Sequence, residues 1–193
     1  MSELGHIADI RTGYPFRKGP ERVERGGCLL VQMKDLDPSG ALRSGEIERI
    51  EVPADAQRQR LRPGDVLMAA RGNRNAAVTF AETGPDAALP ASHLLVLRSR
   101  GSVLPEYLAW FLNLPETQER LAARRVGSTI PFVSVQALSE LPVPVPDVET
   151  QKRIVEVYKL VLEEQALLDQ IKAKRRILVD GLLRNARRRD SKT

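Results

Sequence analysis

Positions 71–75, Arg71, Gly72, Asn73, Arg74 and Asn75, hold the densest base-reading chemistry in the chain. An Arg guanidinium can donate two parallel hydrogen bonds to guanine O6 and N7, and an Asn carboxamide pairs with adenine N6 and N7. The same pentapeptide also reads as an ordinary polar hairpin loop. A second set, residues 13–19, places Tyr14 and Phe16 beside Arg17 and Lys18 between two glycines. Its alternative reading is aromatics packed on a core with solvated cations. A third set, residues 124–129, carries Arg124, Arg125, Ser128 and Thr129, donors suited to phosphate oxygens, but it also fits a positive helix end followed by a glycine cap. Gln32 and Lys34 leave an apolar run, where they can reach a groove or simply face solvent.

Catalytic chemistry finds no comparable foothold. There is no Gly-rich phosphate loop and no GxSxG elbow. Asp37-Pro38-Ser39 does not supply the Asp- or Asn-Pro-Pro-aromatic motif that a methyltransferase needs. Two histidines and one cysteine cannot build a zinc site of ordinary spacing. The expectation is a chain that is not an enzyme, with no cofactor and no metal.

Charge is unevenly placed. Residues 150–193 hold 12 Lys/Arg against 6 Asp/Glu, and residues 1–149 hold 18 against 19. Any nucleic-acid contact in the first part must therefore come from a local patch rather than from overall charge. Eight aromatics in 193 residues are few for stacking on unpaired bases, so duplex DNA is the expected ligand. The N-terminus lacks an apolar signal region and no run of about 18 apolar residues occurs, so no membrane span is expected and a cytoplasmic location is.

The elements that must position these side chains can be read in outline. Residues 27–33 read as a buried strand, with a turn at 37–40. Residues 47–52 read as an exposed-edge strand. A turn at Arg62-Pro63-Gly64-Asp65 leads into a strand at 66–70, and residues 77–80 and 94–98 are further strands. Helices are expected at 104–112 and from Pro115 to about Arg125, with a short one at 134–141 capped by Ser134. Strands and helices mix without regular alternation, which is α+β.

After Pro142, Pro144 and Pro146 the pattern becomes one long helix, with Asp147 as its N-cap. It runs about 55 Å without proline. Heptad spacing puts Ile154, Val161, Leu168 and Leu182 in one set and Val157, Ile171 and Leu178 in the other, with Glu164 and Arg175 interrupting the seam. A coil with a second helix is the expectation; packing back on its own domain is the alternative. The expected organisation is a globular domain at 1–146, a coiled-coil helix at 147–185 and a basic disordered tail at 186–193.

The segments LGHIADIRTG, LLVQMKDLDPSGAL, LRPGDVLMAARGN, LPEYLAWFLN and GSTIPFVSVQALSELPVPVPDVETQKRI follow one another in this order. Together they resemble the target-recognition module of type I restriction–modification specificity subunits, over nearly the whole chain. The Pro-alternating segment ending in Glu149-Thr150-Gln151 is the most specific piece, with Thr150 a mild departure from the family's usual Glu or Gln. Gly64-Asp65-Val66-Leu67 is the next. The resemblance implies a target-recognition domain followed by a spacer helix, non-catalytic recognition of double-stranded DNA, and partnership with an adenine methyltransferase subunit and a translocating restriction subunit. Full-length members carry two such units with antiparallel helices. This chain looks like half of one, so a homodimer reading a bipartite palindrome, or pairing with another half subunit, is expected. A coiled-coil protein-interaction module is the rival reading, and an enzyme on an unfamiliar site a distant third.

Overall fold

The computed structural model describes residues 1–17, 19–37, 42, 47–72, 74–81, 87–127 and 129–190, with the side chains of 183–190 excepted. The turn expected at 37–40 therefore falls mostly outside the described residues. The chain divides into two compact units, Met1–Val155 and Glu156–Thr193.

In the first unit, β1 (Ser2–Glu3) leads into a single helical turn, α1 (Leu4–Ile7), and then β2 (Ala8–Thr12). Next come β3 (Cys28–Val31), a 3-10 turn at Met33–Asp35 and β4 (Glu48–Ile50). After a second 3-10 turn at Ala56–Gln59 come β5 (Val66–Ala69), β6 (Ala77–Thr79), β7 (Ala88–Pro90) and β8 (Leu94–Ser99). Three helices follow, α2 (Pro105–Asn113), α3 (Pro115–Ala123) and α4 (Val135–Ser139), then β9 (Pro142–Val143) and α5 (Val148–Asp190).

The strands form an antiparallel four-stranded sheet in the order β2-β8-β5-β6, a mixed three-stranded sheet β4-β3-β7, and the small pair β1-β9. The expected α+β class with a long C-terminal helix is what the chain adopts. β5 reads as an unbroken apolar run because both of its faces are covered. Val66 and Met68 pack with Leu95, Leu97 and the helices, while Leu67 and Ala69 pack with Val78, Leu94 and Val96 on the other face.

The turn before β5 is a clamp. Gly64 sits at φ +86°, where a side chain would be strained. Asp65 is 1% exposed and accepts the Arg62 backbone N–H at 2.9 Å. It also takes both arms of the Arg98 guanidinium, from Nε at 2.7 Å and Nη2 at 2.8 Å. This hydrogen-bonded carboxylate raises the Arg98 pKa.

The Pro-rich strap before α5 is tied down in the same manner. Tyr107 donates its hydroxyl to Pro144 O at 2.8 Å. Gln151, fully buried, accepts from Leu104 N at 2.8 Å and donates to Pro146 O at 2.8 Å. The N–H it satisfies belongs to the N-cap residue of α2, so one side chain joins the starts of two helices. As expected, Ser134 caps α4 through Ala137 N, and Asp147 accepts Thr150 N at 3.0 Å and Thr150 Oγ1 at 2.8 Å.

α5 is continuous through Asp190, so residues 186–190 are helical. Ile154 stands apart from the rest of its heptad set: with Val155 it packs against the core of the first unit, so that residue serves its own domain rather than an open seam. The second unit, described by itself, is a helical segment on which Val157, Val161, Leu168, Ile171, Leu178 and Leu182 are all exposed.

Candidate nucleic-acid interface

β5 ends at Ala69, and the backbone beyond it is knitted to a segment some sixty residues later in the chain. Val133 N donates to Ala70 O at 2.9 Å, and Arg71 bridges Phe132 in antiparallel fashion. Phe132 in turn exchanges two backbone hydrogen bonds of 2.9 Å with Val126. The described residues of 126–132 thus form a hairpin beside Arg71, and described members of two of the three sets singled out in the sequence come together. The Arg71 guanidinium stands over the Phe132 ring at 6.0 Å. Arg74 and Thr129 are exposed; Arg74 makes a long contact, 3.4 Å, to Asn113 O. Asn73 and Ser128 lie outside the described residues.

Asn75 has a different task from the one its type and position suggested. It is fully buried. Its Nδ2 donates to Ala69 O at 2.7 Å, its Oδ1 accepts from Arg125 Nη2 at 2.8 Å, and its backbone N–H donates to Gln118 Oε1 at 2.9 Å. Gln118 Nε2 returns to Asn75 O at 3.0 Å. An amide engaged on both its nitrogen and its oxygen inside the protein has no edge left for adenine, so Asn75 leaves the base-reading set. Instead it joins the base of the 71–75 loop to α3 and to the root of the hairpin.

The remaining candidates lie elsewhere. Tyr14 donates its hydroxyl to Asp55 at 2.5 Å and meets Phe16 edge-on, with centroids 4.8 Å apart. That hydrogen bond raises the Tyr14 pKa. Both aromatics line an open cleft of about 840 Å³ whose charged walls are Glu21, Glu51, Asp55 and Arg17; Lys18 lies outside the described residues. Gln32 and Lys34 converge on one carboxylate, Glu48, at 3.0 and 2.7 Å. The Lys34 ammonium holds the Glu48 carboxyl below the usual range. Gln32 is half-buried, and Lys34 faces solvent, the second of the two expectations for it.

Sequence reasoning overlooked the turn that completes the Arg71 side. Ser92 and His93, both exposed, join Thr12, Arg71, Phe132 and Ser134 around a cavity of about 190 Å³. His93 O accepts from Ala70 N at 2.9 Å, which fixes this turn to the strand carrying Arg71. No local pattern marks an isolated Ser-His pair, and only the pairing of β5 with β8 brings it here.

Electrostatics separates the two regions. Residues 66–81 and 120–139 carry Arg71, Arg74, Arg120, Arg124 and Arg125, with Asp65, Glu82, Glu119 and Glu140 directly at their ends. The Tyr14 cleft carries three carboxylates against one described cation. The exposed Arg74 and the half-buried Arg71 make the first region the better placed of the two for a polyanion. Among the described residues no group of three His, Cys, Asp or Glu side chains is placed to hold a metal ion, and no helix is long and apolar enough to cross a membrane.

An α+β domain tied to a long helix, with its basic loops gathered at one strand end, is the architecture of a DNA-specificity module. The family that matches is the type I restriction modification DNA specificity domain, over residues 1–174. The chain belongs to this family, whose specificity subunits supply recognition rather than catalysis. Solved structures agree on the fold. A chain from work on complex assembly and conformational transition of a type I restriction–modification system aligns with TM-score 0.67 at 22% identity, covering 90% of this chain and 40% of that one. The HsdS subunit from Thermoanaerobacter tengcongensis aligns with TM-score 0.58 at 21% identity, covering 88% and 38%. The type I S subunit from M. genitalium gives 0.54 at 15%, covering 89% and 42%. The chain thus spans about two fifths of the length of each of these structures. No curated protein matched its sequence.

Proposed function

We propose that this chain reads one half of a bipartite duplex-DNA site for a type I restriction–modification complex, and that two copies pair their α5 helices antiparallel to assemble the whole reader. Residues 1–146 are the target-recognition domain, residues 147–185 the spacer and dimerisation helix, and the basic residues beyond them a tail. Identical domains related by a two-fold axis read identical half-sites, so the site is a palindrome interrupted by a spacer. The assembly presents that site to an adenine methyltransferase subunit and, in a restricting system, to the translocating restriction subunit. Arg71 and Arg74 make the first-choice base contacts, with Thr129 beside them.

The observation that carries this reading is a long helix whose apolar residues Val157, Val161, Leu168, Ile171, Leu178 and Leu182 lie exposed. A helix of this kind needs a second helix to cover its seam. The test joins two measurements. Light scattering of the purified chain at micromolar concentration should give a dimer, and Val161→Lys with Leu168→Lys should give a folded monomer. A genome-wide map of methylated adenines, with and without the gene, should lose one palindromic bipartite motif. Two unlike half-sites would mean a second half subunit instead.

A coiled-coil protein-interaction module is the second reading, favoured by the acid-walled Tyr14 cleft, which repels phosphate. Salt titration separates the two, because phosphate binding weakens steeply with salt and apolar coil pairing does not.

A further inference from the structure

Among the described residues the globular unit leaves four large apolar side chains exposed: Met1, Val126, Ile130 and Val148. Met1 begins the chain and Val148 begins α5. The other two share the hairpin beside Arg71, with Ile130 58% exposed and Val126 46%. Val126 and Phe132 close the hairpin with two hydrogen bonds of 2.9 Å, and Phe132 is bridged to Arg71. Gly127 turns it at φ +96°, where an added Cβ would also press on Ile130 O at 3.3 Å. Ile130 and Val126 belong to no core cluster and expose apolar surface in the segment paired beside Arg71, where an apolar group of a ligand would cover them. The surroundings say which ligand. Arg71 stands at the hairpin over the Phe132 ring, and Arg74, three residues on, is exposed; two such cations suit a polyanion. The apolar group that a duplex offers in its major groove is the C5-methyl of thymine.

We propose that the 126–132 hairpin reads thymine, with Ile130 and Val126 packing on its C5-methyl group while Arg71 contacts the neighbouring base pair or phosphate. This rests on the duplex-DNA reading above and deepens it, since it assigns one base and one chemical group to a part of the site chosen in the sequence only for its phosphate donors.

The experiment uses the purified full chain and two randomised duplex pools, one synthesised with thymine and one with deoxyuridine, which lacks only the methyl group. Bound duplexes are sequenced. The wild-type chain should enrich an A·T pair at a defined position of each half-site, and that enrichment should fall about fourfold in the deoxyuridine pool, the worth of one buried methyl-sized group. Ile130→Ala should bring the thymine pool down to the deoxyuridine level at that position and leave the other positions unchanged. Ile130→Ser, which has no methyl group to offer and suits an exposed turn, guards against a folding defect and should give the same pattern. Identical enrichment in both pools overturns the inference. So does a variant that weakens every position equally. Fluorescence of 2-aminopurine reporting an unstacked step without methyl dependence overturns it in favour of an intercalating wedge. A wild-type chain that enriches no sequence in either pool brings down the DNA reading itself, a result distinct from all of these.

Discussion

The two ends of β5 are built from similar residues and do opposite things. At its start, the turn Arg62-Pro63-Gly64-Asp65 directs its carboxylate inward, where Asp65 is saturated by Arg98 and by a backbone N–H. At its end, the loop that begins at Arg71 leaves Arg74 exposed and Arg71 half-buried, above a footing in which the buried Asn75 is tied to Gln118 and Arg125. One end spends its polar groups on the protein and has none left for a ligand. The other keeps two cations accessible because a third polar residue, Asn75, has taken over the structural task. Residues that face inward with every bond satisfied hold the frame, and residues that stand outward on such a frame can change without disturbing it. This places Gly64-Asp65 and Gln151, which lie in segments that carry the family resemblance, in the frame, and leaves specificity to exposed side chains of the loops beside them.

The contrast breaks most visibly at Asp65. Asp65→Ala leaves the Arg98 guanidinium without its carboxylate and the Arg62 N–H without an acceptor. Because Arg98 is partly exposed, the cost should fall at the lower end of that for a broken buried pair, about 3 kcal/mol, read as a lower midpoint in chemical denaturation. Asn75→Ala should cost about 2 kcal/mol for its unpaired buried partners. It should also blur base preference at every position read by the two loops, as a displaced footing would. Arg71→Ala should do the reverse. Its unfolding midpoint should stay with the wild type, while discrimination at one base position falls by about 1–3 kcal/mol in a binding selection. If Arg71→Ala destabilised the fold as much as Asn75→Ala, the division between frame and reader would fail.

Much of the frame was legible in the residues. Pro105 and Pro115 mark the starts of α2 and α3, Ser134 and Asp147 cap the helices they were expected to cap, and the unbroken Val66–Ala69 run signals a strand covered on both sides. β2 escaped because Ala8–Thr12 alternates with charged residues at the edge of its sheet. β7 escaped because three residues ending in proline become a strand only by lying parallel to β3. The site was legible in its loops and not in its depth. Nothing near Asn75 announces burial, because the groups that bury it, Gln118 and Arg125, are 43 and 50 residues away. The convergence of residues 71–75 with the 126–132 hairpin is likewise a tertiary fact. Ile130 passed unnoticed because an exposed isoleucine and a buried one look the same in a sequence.

Asp147 sharpens the comparison at its smallest scale. Like Asp65, it accepts a backbone N–H three residues away, from Thr150 at 3.0 Å, and it also accepts the Thr150 hydroxyl. Unlike Asp65, it does so in solvent. The Thr150 backbone N–H first, and then its hydroxyl, hold the Asp147 carboxyl below the usual aspartate range. A carboxyl held below its unfolded value contributes its stability above that value and surrenders it as pH falls through the lower, folded one. Asp147→Asn keeps an oxygen that can cap the helix but removes both the charge and the titration. The wild type should therefore be slightly the more stable at pH 7, and that advantage should shrink below about pH 4 and vanish once the carboxyl is protonated in the folded chain. Urea midpoints of the two proteins at descending pH measure it. Lines that stay parallel throughout would mean that Asp147 caps by position alone and that its charge adds nothing to holding α5 in place. Lines that converge would make it the solvent-exposed counterpart of the buried clamp at Asp65.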